Sequence, residues 1–493
     1  MRAPILIAAA LLAGCTVGPD YRPPVATPPA AFTEPQAATA TPVELARPWT
    51  AFADPVLTDL IERALRGNPD VRLAASRIRQ ARLEEIVARA GGKPIVNANA
   101  QATYLRFSKN AGFSSIARQF GNGGATSGSG GSGGSSPSGG IALPGGGITT
   151  YALGFDASWE LDLFGGNRRA VEGAVARTQA AVWNGRDAAT MIAAEVAQGY
   201  WALRLDQAQL GILADETVRQ RRALGIAENQ ARVGLVPNAD LTQQRTTVTA
   251  TEARTAPVRA DIELRAHALA LLLGEQPAAL TAALAAPAPP LGPVPAVPAG
   301  LPSDLLRRRP DIRAAERNLG AATADIGVAV ADLYPRFSLT GMAQLISTAL
   351  GNLFSGDSLQ ITGSGAVQFP VLDWGRRRAT VGIRREAAEQ AYVDYQATVL
   401  QALRDVEDAL AQLDAERGRH LTLERAVNDA LVTARAREAQ YRTGFVAQDA
   451  LLVAQGQVLA AREQLATSDV QLRQDTVALM KALGGGWDDR DPD

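Results

Sequence analysis

Two copies of one pattern fill this 493-residue chain, and that duplication limits the possible folds more than any other feature. Leu65-Arg66-Gly67-Asn68-Pro69-Asp70-Val71-Arg72 returns as Leu306-Arg307-Arg308-Arg309-Pro310-Asp311-Ile312-Arg313, an offset of 241. Phe164-Gly165 with Arg168-Arg169-Ala170 returns as Trp374-Gly375 with Arg377-Arg378-Ala379, at 209 to 210. Arg232-Val233-Gly234-Leu235-Val236 returns as Arg442-Thr443-Gly444-Phe445-Val446, at 210. The register slips by about 31 residues between the first and second pairs, so the first copy carries an insertion, and a Gly/Ser run at residues 121–147 lies in that window. Residues 285–302, rich in Pro and Ala, cannot continue a helix and read as an extended linker between the copies.

Within each copy the hydrophobic period changes. Leu153, Phe155, Ala157, Trp159 and Leu161 alternate with Ala152, Gly154, Asp156, Ser158, Glu160 and Asp162, and Leu359, Ile361, Val367, Phe369 and Val371 alternate with Gln360, Thr362, Ser364 and Gln368. This is the signature of strands with one apolar and one polar face. Their partners are fainter: Phe337, Leu339 and Leu345 alternate with Arg336, Ser338, Thr340 and Gln344, and residues 96–107 are more ambiguous still. Elsewhere the period is seven: Leu451, Val458, Leu465, Leu472 and Leu479, with Leu241, Val248, Thr255, Ile262 and Leu269 standing 210 earlier. These are coiled-coil faces, and Ala454, Ala461, Ser468, Asp475 and Ala482, three residues on, are small enough in most turns for close backbone approach. Val196, Leu203 and Leu210, and Val399, Val406 and Leu413, carry the same spacing on the preceding helices. Proline is absent from residues 170–236 and 376–490, which allows a helix of about 65 residues, roughly 95 Å, in each copy.

Arg2 and the short apolar run at residues 3–13 have the form of a secretory signal, too short to span a bilayer. The run ends in Leu11-Leu12-Ala13-Gly14-Cys15, which resembles a lipobox, so the single cysteine is expected to be a lipidated N-terminus; the alternative is an ordinary buried thiol. The expected plan is a signal peptide at 1–14, a lipidated extended segment at 15–51, a first repeat at 52–284, the linker at 285–302, a second repeat at 303–487 and a tail at 488–493. Lys and Arg number 49 against 50 Asp and Glu, so nothing in the charge suggests nucleic acid. No later stretch approaches 18 apolar residues, so membrane insertion would have to be by strands. Two strands per copy make four per chain, too few to close a transmembrane barrel. Unpaired edges are not tolerated in lipid, so several chains must share one barrel, and three would give twelve strands.

Three linked motifs carry a family resemblance. They are Cys15-Thr16-Val17-Gly18-Pro19-Asp20-Tyr21-Arg22-Pro23-Pro24, then Leu301-Pro302-Ser303-Asp304-Leu305-Leu306 leading into Arg309-Pro310-Asp311-Ile312-Arg313-Ala314-Ala315-Glu316, and Lys481-Ala482-Leu483-Gly484-Gly485-Gly486-Trp487. Together they span nearly the whole mature chain, which resembles the TolC-like outer-membrane efflux proteins, in particular the NodT-type lipoproteins of resistance-nodulation-division pumps. The resemblance implies a mainly α fold with a membrane β-barrel: a homotrimer with twelve strands above an α-helical periplasmic tunnel. It implies a passive conduit for drugs or other small molecules, a periplasmic adaptor protein and an inner-membrane transporter as partners, and a lipid anchor in the outer membrane, since Thr16 is not the retaining aspartate. It further implies that Gly234, Leu235 and Val236, with Gly444, Phe445 and Val446, form the adaptor-contacting tip. Asp240 and Asp449 would then ring the periplasmic aperture, although Val453 stands where relatives often carry a second aspartate.

Each site has a plainer reading beside it. The turns could belong to a helix hairpin with no partner, and Asp240 or Asp449 could be a helix N-terminal cap. Arg168, Arg169, Arg376, Arg377 and Arg378 follow strands and begin helices, where a solvated face is the expected role. His267 and His420 are the only histidines, and His420 falls on the seven-residue spacing, as a packed side chain would. No enzyme chemistry, cofactor or metal is expected; Gly128-Ser129-Gly130-Gly131-Ser132-Gly133 fits a dinucleotide fingerprint in letters only. The rival functions are the channel of a type I protein-secretion system and a non-conducting periplasmic scaffold, and the scaffold leaves four two-faced strands unexplained.

Overall fold

The computed structural model describes residues 16–25, 28–33, 46–106, 147–234, 237–285, 291–298, 300 and 302–487. Cys15, Leu235, Val236 and most of the Gly/Ser run therefore lie outside the described residues. The elements run α1 (Pro55–Gly67), α2 (Pro69–Ala90), β1 (Ile95–Arg106), β2 (Gly147–Leu161), α3 (Gly166–Arg232), α4 (Asn238–Ala253), α5 (Thr255–Leu272) and α6 (Thr281–Leu284). They continue as α7 (Pro302–Arg308), α8 (Pro310–Ala331), β3 (Arg336–Ser347), β4 (Leu359–Gln368), α9 (Arg376–Arg442) and α10 (Gln448–Ala482). No described helix is long and apolar enough to cross a membrane.

The chain divides into two compact units. One, built from Ile86–Val171 and Asp325–Ile383, holds a four-stranded antiparallel sheet in the order β1-β2-β3-β4. The other, from Asp20–Glu85, Glu172–Ala324 and Arg384 onward, is helical. Its core gathers Leu57, Leu60 and Ile61 of α1, Val196, Tyr200 and Leu203 of α3, Leu269 of α5, Val406 and Leu413 of α9 and Leu479 of α10. Asp54 starts α1 by accepting hydrogen bonds from the backbone N–H groups of Val56 and Leu57 at 2.9 and 3.1 Å. The apolar residues at helical spacing behind this cap then turn to the core.

Both long helices have 67 residues, about 100 Å at 1.5 Å per residue. The returning helix runs unbroken in only one of the two copies. In the second copy α10 runs 35 residues, but in the first Arg254 separates α4 from α5. Pro257 is the physical reason, since it has no N–H for the carbonyl four residues back and its ring crowds that carbonyl. The seven-residue series survives the break: Val248, Ile262 and Leu269 are buried, as are Leu451, Leu472 and Leu479. β4 stops at Gln368, short of the expected Val371, because Pro370 cannot donate to a ladder.

The duplication extends to hydrogen-bond register. Moving β1 by 241 residues and β2 by 210 converts the pair Val96↔Ala157 into Phe337↔Val367, which is a pair of the second hairpin. The slip between the two offsets therefore falls between β1 and β2.

Candidate functional site: a two-faced sheet and a pair of helical turns

Cross-strand neighbours place every side chain of the sheet on one of two faces. One face carries Val96, Ala98, Ala100, Ala102 and Tyr104 from β1 and Tyr151, Leu153, Phe155, Ala157, Trp159 and Leu161 from β2. It continues with Phe337, Leu339, Gly341, Ala343 and Leu345 from β3 and Leu359, Ile361, Gly363, Gly365 and Val367 from β4. Those rows hold no charge. Much of this face is bare: Phe155 is 62% exposed, Ile361 74% and Val367 63%. A soluble monomer rarely leaves so continuous an apolar surface open, so lipid or another chain must cover it. From Tyr151 to Leu161 the rows climb about 33 Å along the strand, or about 25 Å if tilted, which matches an outer-membrane apolar band.

The opposite face is polar and knitted across the strands. Asn97 donates to Asp156 at 3.1 Å and Asn99 donates to the same carboxylate; Gln344 donates to Gln360 at 3.1 Å, and Thr340 and Ser364 share a hydrogen bond of 2.7 Å. A hydrated lumen suits such a lining. β1 and β4 are the sheet's two edges, leaving rows of backbone donors and acceptors unpaired.

At the far ends of α3 and α9 the chain reverses through Gly234 and Gly444, each at φ +73°, a left-handed conformation that glycine adopts without strain. Gly444 N–H donates to the Tyr441 carbonyl at 3.0 Å and Phe445 N–H to that of Gln440 at 2.8 Å, so the last helical carbonyls are satisfied. Phe445 is 82% exposed, and Val446 is half-buried. The returning helices meet beside these turns, where Gln448 donates to Gln244 at 3.0 Å. Asp240, half-buried in the first turn of α4, and exposed Asp449, in the first turn of α10, therefore stand on neighbouring helices at one end of the bundle. The N-cap positions belong to Pro237 and Ala447, so neither aspartate is a cap. Asp449 does accept a hydrogen bond from the Ala450 N–H at 2.7 Å.

Arg169 departs from the solvated role expected of it. It is buried, and its Nε donates to the Val17 carbonyl at 3.3 Å. Val17 N–H in turn donates to the Phe164 carbonyl at 3.1 Å, and Thr16 packs so closely on Gly165 that a Cβ there would sit 2.7 Å from its methyl group. Residues 16–17 are thereby fastened to the junction between β2 and α3. Sequence reasoning also missed a buried polar cluster: Gln220 donates to Glu216 at 2.6 Å, Thr251 donates to Gln220 at 2.9 Å, and Gln244 donates to the Gln220 carbonyl at 3.4 Å. Nothing in the spacing of these polar residues distinguishes them from a solvated stripe. His420 is a half-buried side chain 3.6 Å from Glu424.

A sheet with a bare apolar face, a hydrogen-bonded polar face and two open edges, joined in sequence to paired 67-residue helices, defines a subunit of a membrane channel. The comparisons name the group: the chain belongs to the outer membrane efflux protein family, whose model matches residues 60–275 and 301–485. It is 30% identical to the probable efflux pump outer membrane protein TtgC of Pseudomonas putida, over 98% of this chain and 95% of that one. Nodulation protein T of Rhizobium leguminosarum bv. trifolii is 28% identical over 97% of this chain and 96% of its own. Among solved structures, the outer-membrane channel OprN superposes with a TM-score of 0.82 at 30% identity, covering 96% of this chain and all of that one. The open state of the MtrE outer membrane channel of Neisseria gonorrhoeae does so at 0.79 and 25%, covering 96% and 99%. The protein is an outer-membrane component of an efflux system.

Proposed function

We propose that the chain is the passive exit duct of a tripartite pump, exporting drugs, solvents or similar small molecules that an inner-membrane resistance-nodulation-division transporter delivers through a periplasmic adaptor. The observation that carries this reading is the open-edged sheet with one apolar face: four strands cannot close in lipid, and three copies would supply twelve. The relatives' names, toluene, solvent and antibiotic efflux pump outer membrane proteins among them, support the class of cargo. In this reading residues 1–14 are removed and Cys15 carries the lipid. The fastening of Thr16 and Val17 at the end of β2 supports this, since it ties the residues that follow Cys15 in sequence to the edge of the apolar band. Residues 52–284 and 303–487 act as the two repeats joined by the linker at 285–302.

The tip would be formed by Gly234, Leu235, Val236, Gly444, Phe445 and Val446 and gripped by the adaptor; the bare Phe445 ring offers an apolar anchor. Asp240 and Asp449 would converge in the ring as a cation-attracting constriction. Asp240→Asn with Asp449→Asn should lower cation selectivity and change the small resting conductance of the purified channel in planar bilayers, while a double change at His267 and His420 should not. Selectivity untouched by the aspartate pair would place the gate at another ring.

A further inference from the structure

Each repeat closes its helical part with the same joint. Asn68, just before α2, donates to the Leu272 carbonyl at the end of α5 at 2.8 Å, and Arg309, just before α8, donates to the Ala482 carbonyl at the end of α10 at 3.2 Å. These partners are related by the two offsets of the duplication, 241 and 210, and Gly274 and Gly484 follow the returning helices at the same φ of +75°. The first joint is held by a neutral amide. The second is charged: Arg309 also pairs with Asp311 at 2.7 Å and with Asp405 of α9 at 3.2 Å. Beside it stand Asp187 and Lys481, whose counterparts in the other repeat are Ala397 and Leu271. The joint itself therefore has no need of those two charges.

Both line a cavity of about 390 Å³ between α3, α9, α10 and the start of α8, a volume in the range of small-molecule sites. Along α3, Asp187, Met191 and Gln198 fall within about 40° of one another, on the side opposite Val196 and Leu203 of the core, so the cavity lies away from the packed face. Met191 is 44% exposed, and Met191, Ala409 and Ala478 give the cavity an apolar wall. Its other acids are engaged: Asp311 and Asp405 by Arg309, and Asp408 by Arg404 at 3.6 Å. Among the described residues, the side chains of Asp187 and Lys481 make neither an ion pair nor a hydrogen bond. Opposite charges thus share one cavity without closing on each other. Burial, and then Asp311, raise the Asp187 carboxyl above its usual range, against the pull of Arg309 and Lys481. A carboxylate so placed gains from any cation brought to it.

We propose that this cavity holds amphoteric cargo in passage, molecules that carry an ammonium group and a carboxylate close together on an apolar frame. Asp187 accepts from the ammonium, Lys481 donates to the carboxylate, and Met191, Ala409 and Ala478 cover the frame. The proposal rests on the duct reading above and deepens it by naming a class of substrate and the place where the duct meets it. The two unpartnered charges set the class. An ammonium alone would come to rest beside Lys481, and a carboxylate alone beside Asp187, so a ligand of either single charge meets a like charge that the amphoteric ligand offsets. A duct must also release what it holds, and two half-buried ion contacts are weak enough for that.

Fluorescence titration of the purified full-length protein tests this with three probes on one dansyl frame: ε-dansyl-lysine, which has both charges, dansylcadaverine, which has only the ammonium, and dansyl-ε-aminocaproic acid, which has only the carboxylate. ε-Dansyl-lysine should bind at least about fivefold more tightly than either, the order of one exposed ion pair. Asp187→Asn should bring it down to the level of the caproic acid and Lys481→Gln to that of the cadaverine, while Asp240→Asn at the tip changes neither. Exchanging the charges, Asp187→Lys with Lys481→Asp, should restore part of the preference, which damage to the fold would not. A wild-type channel that conducts in planar bilayers yet shows no preference for ε-dansyl-lysine, or a preference that survives both single changes, overturns the site and leaves the duct standing. So does an equal loss of all three probes in the single variants with no recovery on exchange. Protein that does not conduct at all overturns the duct itself.

Discussion

Asp475 occupies one of the small-residue positions of α10 and is 6% exposed. Burial pushes its carboxyl above the usual range, against a hydrogen bond from Gln471 at 2.8 Å that favours the ionised form, while Glu416 raises it further. A raised carboxyl is penalised when charged: its contribution is fully present below the ordinary unfolded value and is lost as pH rises through the folded one. Asp475→Asn keeps the acceptor for Gln471 and removes the charge. Thermal unfolding should therefore show the variant more stable than the parent near neutral pH, with the advantage shrinking as pH falls toward about 4. An advantage that is constant with pH would mean that the aspartate is already neutral or that the effect is one of packing. The same scale shows what a spacing rule misses. The seven-residue spacing puts Asp475 in a row of mostly small residues, but whether its charge is solvated depends on Glu416, which no sequence period brings beside it.

At the scale of elements, legibility followed the contrast between a strand's two faces. β2 alternates Leu, Phe and Trp with Asp, Ser and Glu and was plain. β1 sets Asn97, Asn99 and Gln101 against alanines, a contrast too slight to fix its limits, and its place is determined by pairing with β2. The break between α4 and α5 does not show in the seven-residue series, which crosses it, because Pro257 acts only on the backbone. Gly234 and Gly444 were legible as turns because a left-handed residue after a long helix needs glycine. The sheet gives a sharp test of its two faces. Phe155 lies mid-row on the apolar face, between Ala98 and Ala343, whereas Thr362 lies on the polar face of β4. Phe155→Arg should cost about 2–4 kcal/mol of insertion energy and abolish the heat-modifiable, SDS-resistant oligomer on gels, while Thr362→Arg should leave that band intact and alter conductance. Equal effects would show that the two faces are not lipid and lumen.

On the scale of the whole chain, the two repeats agree in the lengths of their long helices, of the helices α2 and α8 and of the strands β1 and β3, and differ most in the connection within each strand pair. α2 and α8 each have 22 residues, β1 and β3 each 12, and α3 and α9 each 67. By contrast β1 and β2 are joined by residues 107–146, but β3 and β4 only by residues 348–358. Removing seven residues from each arm of the first hairpin, within α3 and α4, should leave the oligomer assembled but abolish export, measured as dye retained in cells. Removing matched heptads from the second hairpin as well should restore a level tip and part of the export. Recovery absent from the matched form would mean that reach, not evenness, is what the tip requires.

The equal 67-residue helices also bear on descent. A chain whose halves arose from one ancestral segment is free to let their letters drift, since packing tolerates many substitutions of similar volume. It is not free to let their lengths drift, because an insertion or deletion in one long helix leaves the other mismatched until a compensating change arrives. Heritable length variation should therefore collect in the connection beyond β1 and β2, and the long helices should change length only in paired steps, as if the duplication still kept one half accountable to the other.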